Sequence, residues 1–144
     1  MDMSAPIKAI LFDKDGCLCD FAATWDAWAA GQIRGFAGGD AGLEQALALA
    51  LRYDLAAARF LPDSPVIAGT NRDTAECIAA VLTQLDVDAL VAQIETAAAQ
   101  VRIAEVIPLA PFLSALRRSG LLLAVVTNDA EAVARAQMQA VGVT

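Results

Sequence analysis

Ile7-Lys8-Ala9-Ile10-Leu11-Phe12-Asp13-Lys14-Asp15-Gly16 is a short apolar run with a single charge inside it, closed by two carboxylates and a glycine. Such a run reads as a buried strand that stops at a turn. A second run of the same character, Leu121 to Val126, is apolar at every position and ends in Thr127-Asn128. An uninterrupted apolar strand is expected to be parallel and covered on both faces.

Between these runs the composition shifts, from Phe21 to about Val106, toward Ala, Leu, Gln and Glu at helical spacing. Trp25, Trp28 and Ile33 suggest one amphipathic face, Leu43, Leu47 and Leu51 another, and Ile78, Leu82 and Leu85 a third. Gly38-Gly39, Leu61-Pro62-Asp63-Ser64-Pro65 and Gly69 punctuate them. Asp86-Val87-Asp88 begins a further helix, which runs through Ile94 and Val101 and is expected to end before Pro108. Pro111 suits the first turn of a helix that continues to Arg117-Arg118 and stops at Ser119-Gly120, with cations at its negative dipole end. Asn128 is expected to cap a last helix, with Asp129 and Glu131 in its first turn.

The order strand, helical insert, helix, strand, helix predicts an α/β fold. The helix from Pro111 to Ser119 is the right-handed crossover that lays two parallel strands side by side. Asp13 and Thr127 then sit at the C-terminal strand ends, the edge where such sheets bind ligands. The expected division is an incomplete α/β core at 1–20 and 107–144, and a helical insert at 21–106.

Composition narrows the function. The chain has 144 residues, 58% of them hydrophobic, and a mean hydropathy of +0.53, so a membrane span must be weighed first. The run from Val106 to Leu116 is too short to cross a bilayer and holds Pro108 and Pro111, and the opening Met1-Asp2-Met3 is unlike a secretory signal. A cytoplasmic location is expected, with no membrane partner. A net charge of -7 and a pI near 4.3 disfavour nucleic acid. With no histidine and only Cys17, Cys19 and Cys77, a zinc site lacks ligands, and the thiols are expected to be reduced and structural.

The stretch ending Asp13-Lys14-Asp15-Gly16 resembles the first signature of the haloacid dehalogenase (HAD) superfamily, an apolar strand followed by Asp-x-Asp-Gly. Leu18 and Asp20 extend the likeness, and Thr127-Asn128 at the end of its strand resembles the second signature. The resemblance implies a Rossmann-like parallel-sheet core of the HAD type, with the insert as a helical cap domain that closes over the site and excludes water. It also implies a Mg²⁺-dependent phosphatase of a small phosphorylated metabolite, with phosphoglycolate as the first candidate.

The residues suit that chemistry. Asp13 can form an acyl phosphate as a covalent intermediate. Asp15, two residues on, can protonate the departing ester oxygen and later act as base toward water. A carboxylate and a phosphate dianion within 4 Å repel by roughly 4 kcal/mol per charge pair at an effective dielectric near 20, so a cation is required. Magnesium would take a carboxylate oxygen of Asp13 and the main-chain carbonyl of Asp15. The Lys14 amide, the Thr127 hydroxyl and the Asn128 amide would hold phosphate oxygens, and the Lys14 side chain is expected to point away. Trp25 and Trp28 are read as core, and Arg34, Arg52, Arg59 and Arg72 as solvated charges.

Competing chemistries separate on the same residues. A dehalogenase has no use for Asp15 as a leaving-group acid. A phosphonate-cleaving relative needs a cap lysine, and Lys8 and Lys14 are the only lysines. A sugar-phosphate mutase, and a non-catalytic phosphate-binding or regulatory relative or inactive fragment, stand as alternatives. The superfamily's third signature, a Lys or Arg that screens the nucleophile, and its fourth, an acidic pair, have no counterpart here, since Arg135 follows Thr127 too closely. Two parallel strands also make too small a sheet to cover their own faces and edges. The expectation is a polypeptide that lacks the rest of its sheet, or else self-association through that incomplete sheet.

Overall fold

A computed structural model describes residues 7–143. The expected core segments at 1–20 and 107–144, and the reading of Met1-Asp2-Met3, therefore fall partly outside the described residues. The opening strand, β1, spans Ala9–Asp13. Helix α1 (Phe21–Ala37) starts where the Asp20 carboxylate accepts from Ala23 N at 2.9 Å, and it buries Trp25, Ala29, Ile33 and Ala37 at successive turns of one face. Helix α2 (Ala41–Ala50) is capped in the same way by Asp40.

The helical reading of the insert fails at one place. Tyr53–Asp54 (β2) and Arg59–Phe60 (β3) form a small antiparallel hairpin. Arg52 and Ala58 take left-handed backbone angles, and Asp54 accepts from the amides of Ala56 and Ala57 at 2.9 Å each. A short acidic side chain thus supplies the turn that a helix would otherwise have continued through. Four-residue α3 (Pro65–Ala68) and α4 (Asn71–Val81) follow, the latter opened by a capping box between Thr70 and Asp73.

Helix α5 (Val87–Ala98), capped by Asp86, stops well short of Pro108 and does not reach Val101 as its spacing predicted. The chain beyond it turns back to bond the start of the insert. Asp20 N donates to Ala104 O at 2.8 Å, and Val106 N to Leu18 O at 3.2 Å. Both ends of the insert therefore leave the core side by side. Helix α6 (Leu109–Arg118), strand β4 (Leu122–Val126) and helix α7 (Glu131–Ala140) complete the described chain.

The strands β1 and β4 pair in parallel, in a register that runs from Ala9 opposite Leu122 to Asp13 opposite Val126. The fold is α/β with a small parallel sheet. Ile33, Leu47, Tyr53, Ile78 and Leu90 anchor a core within the insert. A second core gathers Leu18, Ile103, Leu109, Leu113 and Met138, with Phe12 and Leu123 packed on it from the sheet. Trp25, Ala98 and Val133 form a small cluster of their own, from α1, α5 and α7. The sheet is not covered on both faces: Leu11 is 71% exposed, Leu122 72% and Val126 58%. Among the described residues this sheet has two strands, and those side chains remain largely exposed.

Candidate active site

Parallel pairing in this register sets Asp13 opposite Val126, and Thr127 follows at once. The two loops that carry the candidate residues therefore leave the same edge of the sheet. After Asp13 the chain folds tightly around one carbonyl: Lys14 O accepts from the amides of Leu18 and Cys19 at 2.9 and 3.0 Å. The turn needs a left-handed residue, and Gly16, at φ 81°, provides it without a Cβ clash.

The Asp13 carboxylate accepts from Lys14 N at 2.8 Å through Oδ1 and is otherwise open to solvent. Asp15 is held from three sides. Its Oδ1 accepts from Trp25 Nε1 at 2.6 Å and from Cys19 Sγ at 3.2 Å, and its Oδ2 lies 2.7 Å from Lys14 Nζ. Burial, reinforced by the Asp15 carboxylate, pushes the Cys19 thiol up to about 12, so it stays a donor.

The Lys14 side chain turns inward, away from the cavity that Asp13 and Asp15 line. It is fully buried, and its ammonium pairs with Asp15, with Asp129 Oδ2 at 2.8 Å and with Gln137 Oε1 at 2.8 Å. Gln137 passes the link on, its Nε2 donating to Ala98 O at 2.9 Å. Burial alone would push the ammonium down, but the hydrogen bonds and charges of Asp129 and Asp15 outweigh it and the net shift is upward. The physical reason is that a desolvated cation is tolerated only when paired, and here the turn after β1 aims it inward at two carboxylates.

Asn128 does not cap the last helix. Its Nδ2 donates to Ala68 O at 2.9 Å, reaching from the core loop to the insert. Helix α7 begins at Glu131 after Ala130, with no side-chain cap, because Asp129 is spent on Lys14. Thr127 Oγ1 accepts from Asp129 N at 3.2 Å, which shapes the loop. Asp13, Asp15, Thr127, Asn128 and Asp129 line one cavity of about 390 Å³, closed on the other side by the insert.

Two partners of the Lys14 ammonium escaped the sequence reading: Asp129 was read as a first-turn residue of the last helix, and Gln137 was not considered. Gln137 did carry a signal, since a polar residue sits on the apolar face that Val133, Met138 and Val141 define. Trp25, read as core, is both core and hydrogen-bond donor to Asp15.

Magnesium needs hard oxygen donors, and one or two carboxylates suffice when substrate phosphate and water complete the shell. Among the described residues no group of three or more His, Cys, Asp or Glu is disposed to hold a metal. The Asp13 carboxylate, with one oxygen engaged by a backbone amide, and the Asp15 main-chain carbonyl fit that modest requirement. The Asp15 carboxylate fits it less well, because Trp25, Cys19 and Lys14 already occupy it.

A carboxylate loop and a Thr-Asn-Asp loop at one edge of a parallel sheet, facing a helical insert, define an α/β protein with a candidate ligand site at its strand ends. The family model of haloacid dehalogenase-like hydrolases matches residues 7–144, and the chain belongs to that family. A solved structure of a dehalogenase is similar at a TM-score of 0.43 and 17% identity, over 97% of this chain and 58% of that one. The chain thus spans somewhat over half the length of that structure. A comparison with curated proteins gave no match. Among the described residues no helix is long and apolar enough to cross a membrane.

Proposed function

We propose that the protein is a Mg²⁺-dependent phosphatase that hydrolyses a small phosphomonoester through an aspartyl phosphate on Asp13. The observation that carries this reading is the β1–β4 register, which brings Asp13 and Thr127 to one edge beside Asp15. An Asp13 oxygen attacks phosphorus, the ester P–O bond breaks, and its electron pair leaves with the alcohol oxygen, which takes a proton from Asp15. Water, giving its proton back to Asp15, then attacks phosphorus, and the bond to Asp13 breaks to release phosphate.

The Asn128 amide and the Thr127 hydroxyl orient the phosphate oxygens, joined by the Lys14 amide once it leaves the Asp13 carboxylate. Asp13 and the main-chain carbonyl of Asp15 would hold magnesium, which would supply charge neutralisation between nucleophile and phosphate. Proton delivery by Asp15 requires its carboxylate to turn from Trp25 or Lys14, and closure by the insert keeps bulk water out meanwhile. That same engagement of Asp15 favours a second reading, a phosphate-binding relative without turnover.

Turnover of a phosphomonoester panel by the 144-residue chain with magnesium separates the two. Phosphatase activity is expected, and Asp13→Asn is expected to lower kcat by about 10³-fold or more. Full activity in Asp13→Asn removes Asp13 as the nucleophile. Phosphate binding with no turnover establishes the second reading.

A further inference from the structure

We infer that the alcohol esterified to the phosphate is uncharged and ring-bearing and presents a hydrogen-bond acceptor to Asn71; this rests on the phosphatase reading above. The cavity that holds Asp13 and Asp15 at its floor is walled, on the insert side, by Phe21, Trp28, Phe60 and Ile94. Trp25 lies edge-on to Trp28 at 5.3 Å and has its indole N–H committed to Asp15, which leaves Trp28, half-buried, as the ring that faces a ligand. Phe21 and Phe60 pack against each other at 5.8 Å and make a second aromatic surface. Flat apolar walls of this kind select rings.

Asn71, in the first turn of α4, lines the same cavity, and its Nδ2 is buried with no hydrogen-bond partner. A donor in that state is costly unless something brings it an acceptor. The charged residues of the cavity lining are Asp13, Asp15 and Asp129. Lys14 is sealed beneath them, and none of the insert's arginines lines the cavity; Arg52 pairs with Asp63, and Arg72 with Asp88 and Glu76. Among the described residues, a substrate carboxylate would meet three anions in this cavity and no cation of its lining. A volume of about 390 Å³, near the low end for small-molecule pockets, admits one ring beside the phosphate.

The test compares three alkyl esters of similar leaving-group reactivity, para-acetylbenzyl phosphate, benzyl phosphate and phosphoglycolate, in wild type and in Asn71→Leu. Wild type is expected to rank them in that order of kcat/KM, with about tenfold or more between the first and last. Asn71→Leu is expected to lower kcat/KM for para-acetylbenzyl phosphate more than for benzyl phosphate, so that the advantage of the acetyl group is lost. A preference for phosphoglycolate, or an equal loss on all three esters in Asn71→Leu, overturns the inference. Calorimetric binding of para-acetylbenzylphosphonate against a carboxyalkyl phosphonate decides the substrate class even if nothing is turned over. Tighter binding of the aryl phosphonate without turnover defeats the phosphatase reading and keeps the ligand assignment, and tighter binding of the carboxyalkyl phosphonate defeats the assignment.

Discussion

Lys14 carries one positive charge between two carboxylates in a place water does not reach. Replacing it with Met leaves Asp15 and Asp129 facing each other, both mostly buried, with no counter-charge. Breaking a buried pair this way costs about 3 kcal/mol, so urea denaturation of Lys14→Met at neutral pH is expected to show a loss of that size. The pH dependence follows from the upward shift of the ammonium. A raised folded value adds stability that is full below the unfolded lysine value of about 10.4 and fades as pH climbs through the folded one. The contribution of the ammonium to the gap between wild type and Lys14→Met is therefore expected to be full through neutrality and to fade in strong alkali. A gap already lost near pH 9, below the unfolded lysine value of about 10.4, contradicts the pairing. Asp13, Asp15, Thr127 and Asn128 were legible as site candidates because each lies next to a strand end. The Lys14 contacts were not, because Asp129 and Gln137 are more than a hundred residues away and no local pattern announces them.

Among the elements, the junction of α3 and α4 forms part of the cavity wall through Ala68, Gly69, Thr70 and Asn71. A Cβ at Gly69 would come within 2.3 Å of Pro65 O, a backbone atom that cannot swing aside. Gly69→Ala must therefore displace one helix against the other, and overpacking of this kind costs roughly 1–3 kcal/mol. Thermal denaturation is expected to show that loss, together with weaker substrate binding, because the Asn128 bond to Ala68 O moves with the junction. An unchanged melting temperature would mean that the junction is looser than its contacts indicate. Gly69 reads from the sequence as punctuation, and the helices around it follow from their apolar spacing and acidic or hydroxyl starts. The hairpin at Tyr53–Phe60 does not, since Leu47, Leu51 and Leu55 keep a helical rhythm through it. Asp54, by bonding forward to Ala56 and Ala57, overrides that rhythm.

At the scale of the molecule, Leu11, Leu122 and Val126 present an apolar surface to solvent on a two-stranded sheet. Exposed apolar strands seek partners. The 144-residue chain, of 15.0 kDa, is expected to sediment as a concentration-dependent dimer or larger species, and Leu122→Lys to return it toward the monomer mass. A wild-type monomer at every concentration would show that this surface attracts no second copy. The crossover order was readable because strand and helix patterns alternate across Phe12, Leu113 and Leu123. Which strand faces stay uncovered was not, because an all-apolar strand looks the same whether or not something lies over it.

The pairing of Ala9 with Leu122 through Asp13 with Val126 also ties folding fidelity to the proposed catalysis. Side chains alternate along a strand, so a slip of β4 by a single position would invert every residue on it and carry Thr127 out of line with Asp13. A misaligned molecule could keep its helices, its mass and most of its melting behaviour and still be inert, which makes turnover a finer gauge of correct strand alignment than any measure of bulk order.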